Sequence, residues 1–155
     1  MIRKNPKTFI PYLEGQVRKF KGKQIVTDND VFTTQEGKNA YINAINFLKA
    51  QRSLPPLAWS DGLASAARDH CEDAGPRGMI SSLGSDGSTP DLRISKYGRI
   101  DETWSETSIF AALNTKEVLE RMIVCDGQPQ RGFRKSVFSS DFKVCGLATS
   151  SHANQ

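Results

Sequence analysis

The chain predicts an α+β fold with layered helices around a small sheet. Three observations carry that expectation. Apolar residues recur at helical spacing in several segments up to residue 124. Strand-like runs at 136–138 and 142–148 follow the helical segments, and a stretch dense in Gly, Ser and Asp interrupts those segments.

Taken in order, Phe9, Tyr12, Leu13, Val17 and Phe20 give residues 4–20 the spacing of a short amphipathic helix that Pro11 interrupts. Residues 22–29 are polar and turn-like. Thr33 and Glu36 read as a capping box for a helix running to about residue 52. Its inward face is Ala40, Tyr41, Ala44, Ile45 and Leu48, widened by Ile42 and Phe47, and Leu54-Pro55-Pro56-Leu57 stops it. Ser60 caps a second helix to about residue 73, with Leu63, Ala66, Ala67, His70 and Cys71 inward. Residues 75–90 form a long ordered loop in which Asp86-Gly87-Ser88 makes a turn. Thr115 opens a third helix through residue 124, with Val118, Leu119, Met122 and Ile123 apolar. Residues 136–138 and 142–148 read as strands, and 104–110 as a further one. Residues 1–35 are set apart as a basic arm carrying the short helix, and 36–155 as the folded domain.

The 155 residues suffice for a sizeable core, and 37% hydrophobic with 25% charged residues is an ordinary globular composition. No run of about 18 apolar residues exists, so no membrane-spanning helix is expected. The start, Met1-Ile2-Arg3-Lys4-Asn5-Pro6-Lys7, lacks the apolar centre of a secretory signal. Cys71, Cys125 and Cys145 cannot all pair within one chain and show no CxxC spacing. A reduced, intracellular setting is favoured, although one internal disulfide stays open. The alternative is an extracellular protein, if the sequence is a piece of a longer secreted precursor. The net charge of +4 comes largely from Arg3, Lys4, Lys7, Arg18, Lys19, Lys21 and Lys23. These seven are candidate contacts for an acidic partner, against the plainer reading of a solvated basic face. Nucleic acid stays open but unfavoured, since no aromatic interleaving accompanies the run.

Several pieces in order resemble the CAP or SCP superfamily of cysteine-rich secretory proteins, antigen 5 and plant pathogenesis-related proteins. They are Leu54-Pro55-Pro56-Leu57-Ala58-Trp59, Leu63-Ala64-Ser65-Ala66-Ala67-Arg68-Asp69-His70, Gly84-Ser85-Asp86-Gly87-Ser88, Trp104-Ser105-Glu106-Thr107, Gly127-Gln128-Pro129-Gln130-Arg131-Gly132-Phe133-Arg134 and Val144-Cys145-Gly146-Leu147-Ala148. The resemblance implies an α-β-α sandwich and a cleft of two histidines and acidic residues that holds zinc or another divalent ion in many members. It puts the first histidine where Ser82 stands and the second where Phe133 stands. Glu106 keeps the family's acid, and Cys125 replaces the first aspartate of an Asp-Asp-Gly piece. The resemblance also implies that the amino end begins inside the family's first helix and the carboxyl end stops before its final strand. Such shortened ends fit either a partner chain that completes the sheet or a truncation.

Ser82, Glu106, Cys125 and Phe133 thus mark a degenerate family cleft. A hydroxyl and a phenyl ring cannot replace two imidazoles on zinc, so no metal, no other cofactor and no catalytic residue is expected. His70 reads as a hydrogen-bonded core histidine and His152 as a minor contact near the terminus. Glu106 is expected to form a salt bridge with Arg93, Arg131 or Arg134. The expectation is a non-enzymatic CAP-like domain that serves as a structural or binding subunit of a larger protein assembly. Two alternatives compete with it: a truncated secreted CAP protein that binds a lipid or cell-surface partner, and a divergent metal-dependent or cysteine hydrolase.

Overall fold

The computed structural model describes residues 2–28, 30–100, 103–112 and 114–154. The chain forms two compact units, Met1–Pro56 with Ala112–Ser139 and Leu57–Ala111 with Ser140–Gln155.

In the first unit a 3-10 turn, Pro6–Phe9, runs directly into α1 (Ile10–Val17). Pro11 does not interrupt this helix. It sits in the first turn, where its missing N–H has no intrahelical bond to lose. The polar turn expected over 22–29 is instead part of an antiparallel meander of β1 (Phe20–Lys21), β2 (Gln24–Val26) and β3 (Val31–Thr33), with position 29 outside the described residues. Phe20, Ile25 and Phe32 face one another across its strands. Strands of two or three residues are too short for alternation to register in the sequence.

α2 (Lys38–Ala50) buries Ala40, Tyr41, Ala44, Ile45 and Leu48, as its periodicity requires; Phe47 is half-buried and Ile42 is exposed. The capping box does not form. Gly37 is the N-cap at φ 67°, Thr33 closes β3, and the Glu36 carboxylate turns to Arg131. α5 (Thr115–Val124) has the expected bounds, with the Asn114 side chain accepting from the Lys116 and Glu117 amides. The strand expected at 136–138 is replaced by α6 (Gly132–Val137), because the inward period is helical: Arg134 and Phe138, four residues apart, are both buried.

The core of this unit is complete within it. Leu13, Leu48 and Ile123 are wholly buried, and Phe138 packs on Phe47 with ring centroids 5.4 Å apart. Residues 1–35, set apart in the sequence as an arm, supply Phe9, Ile10, Leu13 and Ile25 to it. Tyr12 and Tyr41 both donate to the Glu120 carboxylate, Tyr12 at 2.6 Å. Burial first, and then that carboxylate, hold both phenols well above the ordinary tyrosine range.

Arg3 requires a correction of its own. Placed among the candidate partner contacts, it is 7% exposed, and its guanidinium donates to the carbonyls of Pro55 (2.9 Å), Val137 (2.7 Å) and Ser139 (2.8 Å). It is a fastener inside the unit, not a surface charge.

The second unit is built on α3 (Asp61–Arg77), capped by Ser60 Oγ accepting from the Leu63 amide at 3.3 Å. The helix outruns its expected end, passes through Pro76 and stops at Gly78, φ 63°. Ala64, Ala66, His70 and Ala74 are buried, while Leu63, Ala67 and Cys71 are half-buried. This small-residue face lets a neighbour come close: Gly146 lies against the backbone of Leu63 and Ala64 with no room for a Cβ. β4 (Ala58–Trp59) pairs in parallel with β5 (Val144–Cys145), so the strand expected over 142–148 shrinks to two residues. No described residue of 104–110 is in a strand. α4 (Pro90–Ser95) completes the unit.

Arg3→Ala strands three carbonyls that a charged donor now satisfies. It is expected to lower the stability of the full chain by about 2–4 kcal/mol in urea denaturation, whereas Lys4→Ala, at an exposed neighbour, stays within about 0.5 kcal/mol.

Candidate functional site

The second unit contains a buried cation. Arg93 lies in the short helix α4, which Pro90 starts in its first turn, and it is only 2% exposed. Its Nη1 donates to the Ser88 carbonyl at 2.8 Å. Its Nη2 donates to the Ser82 carbonyl at 2.9 Å and to both Glu106 carboxylate oxygens at 3.0 Å. The Nε is buried, with no hydrogen-bond partner among the described residues. Of the three arginines expected to pair with Glu106, Arg93 does so, and the structure brings Ser82 and Glu106 together on it. Ser82 takes part through its backbone carbonyl, which any residue there would supply.

A divalent ion needs carboxylate and imidazole donors free to converge on it. Here both oxygens of Glu106 already face a fixed positive charge, and a second cation beside it would meet that charge's repulsion. The residues present do not fit the family's metal. Among the described residues, no three His, Cys, Asp or Glu side chains come together in an arrangement able to hold one.

The loop that delivers the Ser82 and Ser88 carbonyls is held by short polar contacts. Asp73 accepts from the Ser85 amide at 2.6 Å and its hydroxyl at 2.5 Å, and pairs with Arg77 at 2.7 Å. Asp86 accepts from the Ser88 amide at 2.8 Å, forming the turn expected there. Hydrogen bonds from Ser85 and Ser88 hold the Asp73 and Asp86 carboxyls below the usual carboxylate range.

His70 is buried as expected, but its Nδ1 has no hydrogen-bond partner among the described residues. His152 places Nε2 3.1 Å from the Met79 carbonyl, accepts the Asn154 amide at Nδ1, and meets the Phe110 ring edge-on at 5.3 Å. All three cysteines are free. Burial pushes the Cys71 thiol up, and the Glu106 and Glu72 charges add to the rise, so the thiolate that nucleophilic work requires is disfavoured.

Cys125 and Phe133 belong to the first unit. Cys125 closes α5 in the left-handed conformation (φ 50°), with its thiol donating to the Met122 carbonyl at 3.1 Å. Arg131, also left-handed at φ 52°, returns to the Cys125 carbonyl at 2.6 Å and grips Glu36 with both terminal nitrogens, at 2.6 and 2.5 Å. Glu36 further accepts the Gly127 amide, and Asp126 accepts the amides of Gln35 and Glu36. Arg131's hydrogen bond is the main reason that the Glu36 carboxyl lies below the usual glutamate range. Phe133 is half-buried in the first turn of α6, not on a loop. The next residue, Arg134, is buried and donates to the Ile123 and Val124 carbonyls and to Asn43 Oδ1.

Sequence reasoning missed the Glu36–Arg131 clamp, because its halves are 95 positions apart, and the inward roles of Arg3 and Arg134. One usable signal was an arginine set between apolar neighbours, as in Leu92-Arg93-Ile94.

The family model for cysteine-rich secretory proteins, CAP, matches residues 42–155. The chain belongs to the CAP family. No curated protein and no solved structure matches it significantly. The α+β class is the one this CAP membership implies. Among the described residues no helix is long and apolar enough to cross a membrane.

Charge is divided unevenly in this CAP chain. The first unit carries fifteen Lys and Arg against seven Asp and Glu, a formal +8, and the second carries six against ten, a formal −4. Lys4, Lys7, Arg18, Lys19, Lys21 and Lys23 are all exposed in the first unit.

Two outcomes test the clamps. Because the folded Glu36 carboxyl is more acidic than in the unfolded chain, it adds stability above the ordinary glutamate range, and that contribution is lost as pH falls through the folded value. Glu36→Gln is therefore expected to flatten the acid limb of the stability–pH curve, measured by urea melts below neutrality. For the buried pair, Arg93→Met and Glu106→Gln each destabilise, and the double variant loses less than their sum. A double-mutant cycle is expected to return a coupling of about 1–3 kcal/mol.

Proposed function

We propose that this CAP-family chain is a non-enzymatic structural or binding subunit of a larger protein assembly, which engages an acidic protein partner through the basic surface of its first unit. The observation that carries the reading is the pairing of Arg93 with both oxygens of Glu106: the acid the family pattern retains is neutralised by an internal guanidinium, so it is poorly placed to act as a ligand or a general base. The engaged nitrogens of His152 and the raised thiol of Cys71 support the same conclusion. Three free thiols fit a reducing, intracellular compartment. The +8 charge of the first unit supplies the attraction towards an acidic surface.

Deleting the basic segment would remove Phe9, Ile10 and Leu13 from the core, so the test uses substitutions. In an extract of the native source, the wild-type chain is expected to elute from a sizing column with a larger complex, and a Lys19→Glu/Lys21→Glu/Lys23→Glu variant as the free chain. Identical elution would remove this surface from the function. A zinc titration by calorimetry completes the test: stoichiometric zinc that disappears in Glu106→Gln would overturn the non-enzymatic reading.

A further inference from the structure

The first unit contains an open cavity of about 450 Å³, with residues 4–7 on one side and 49–53 on the other. Four cationic side chains line it, Lys4, Lys7, Lys49 and Arg52, and no acidic residue does. None of the four has an ion-pair partner among the described residues. We infer that this cavity is a binding site for a compact polyanion of the condensed-phosphate class, a di- or triphosphate chain. The inference does not depend on the function proposed above, since a small anion can fill the cavity whether or not a partner protein docks elsewhere.

Charge alone would leave a solvated basic surface, and two further features favour a ligand. The walls are fixed to each other: the Leu54 amide donates to the Arg3 carbonyl at 2.8 Å, Ser53 Oγ donates to the Lys4 carbonyl at 2.7 Å, and the buried Arg3 guanidinium holds the Pro55 carbonyl. The backbone positions that carry the cations are thus fixed to one another and keep the four charges gathered at one opening, and the freedom an anion must still remove is that of the side chains themselves. The second feature is excess. α2 ends beside the cavity, and a single basic residue in its last turn, Lys49, answers the negative end of the helix dipole. Arg52, Lys4 and Lys7 go beyond that need. A second cavity, about 290 Å³ in the second unit, is the reverse case: Asp69 and Asp73 on its lining are already engaged by Tyr97, Lys96, Ser85 and Arg77.

The chemistry selects the ligand. Lysine ammoniums act as point charges and arginine as a planar fork, a mixture suited to the several oxygens of a phosphate chain. One phosphoryl group carries about −1.5 to −2, so a chain of two or three balances four cations. Such a chain comes either free or on an ester.

The test is calorimetric titration of the full chain at low ionic strength with EDTA, using inorganic tripolyphosphate and ATP in separate arms. Saturable binding that weakens with salt is expected, and Lys49→Gln/Arg52→Gln is expected to weaken it at least about tenfold. Lys21→Gln/Lys23→Gln, exposed charges outside the cavity, is expected to change it by less than about twofold. Equal affinity in the two arms would mean that the phosphate chain is recognised wherever it is carried; a marked preference for either would name the source, and each result supports the site. No saturation with either compound up to about 1 mM, or equal losses in both double variants, would overturn it.

Discussion

A charge taken out of water must be surrounded by partners, and in this chain that requirement falls on arginine. Arg3, Arg93 and Arg134 are each less than 10% exposed, and each donates to at least two backbone carbonyls five or more positions away. A guanidinium has five donors in a rigid plane, so one side chain can tie several segments at once. Arg3 joins the amino terminus to the turn after α2 and the end of α6. Arg134 secures the end of α5 to α2. Arg93 gathers the Ser82 loop, the turn at Ser88 and the strandless segment bearing Glu106. These are the places where short strands and short helices provide few ladder bonds of their own.

Within the CAP family pattern, the arrangement around Arg93 changes what Glu106 means. Retention of an acid at a family position reads, in sequence alone, as retention of half a site. The geometry assigns that acid to the neutralisation of an internal cation, with Ser82 offering only its carbonyl. In the first unit, two left-handed residues and the Glu36 carboxylate make the Cys125–Arg131 segment a brace.

What was legible in the sequence was whatever is encoded locally. The buried face of α2, the bounds of α5 and the Ser60 cap all follow from spacing and cap chemistry within one or two turns. What was illegible was long-range. Thr33 and Glu36 satisfy the capping-box pattern, yet a guanidinium 95 positions on competes better for the carboxylate. Residues 136–138 look like a strand only until Arg134 is known to point inward. Arg3 sits in a basic run, and nothing within that run marks it as the one that is buried. Of the four cleft positions, the sequence identified the substitutions and named Arg93 among three possible partners for Glu106, but not that the same guanidinium also takes the Ser82 carbonyl.

The uneven division of charge has a consequence for the molecule as a colloid. A sequence isoelectric point near 9.1 averages over one unit of formal +8 and another of formal −4. At a formal +4 overall, separate copies repel one another, and that repulsion lengthens in range as salt is withdrawn. Dilute buffer is the medium that keeps copies of this chain apart, and added salt the one that lets them approach.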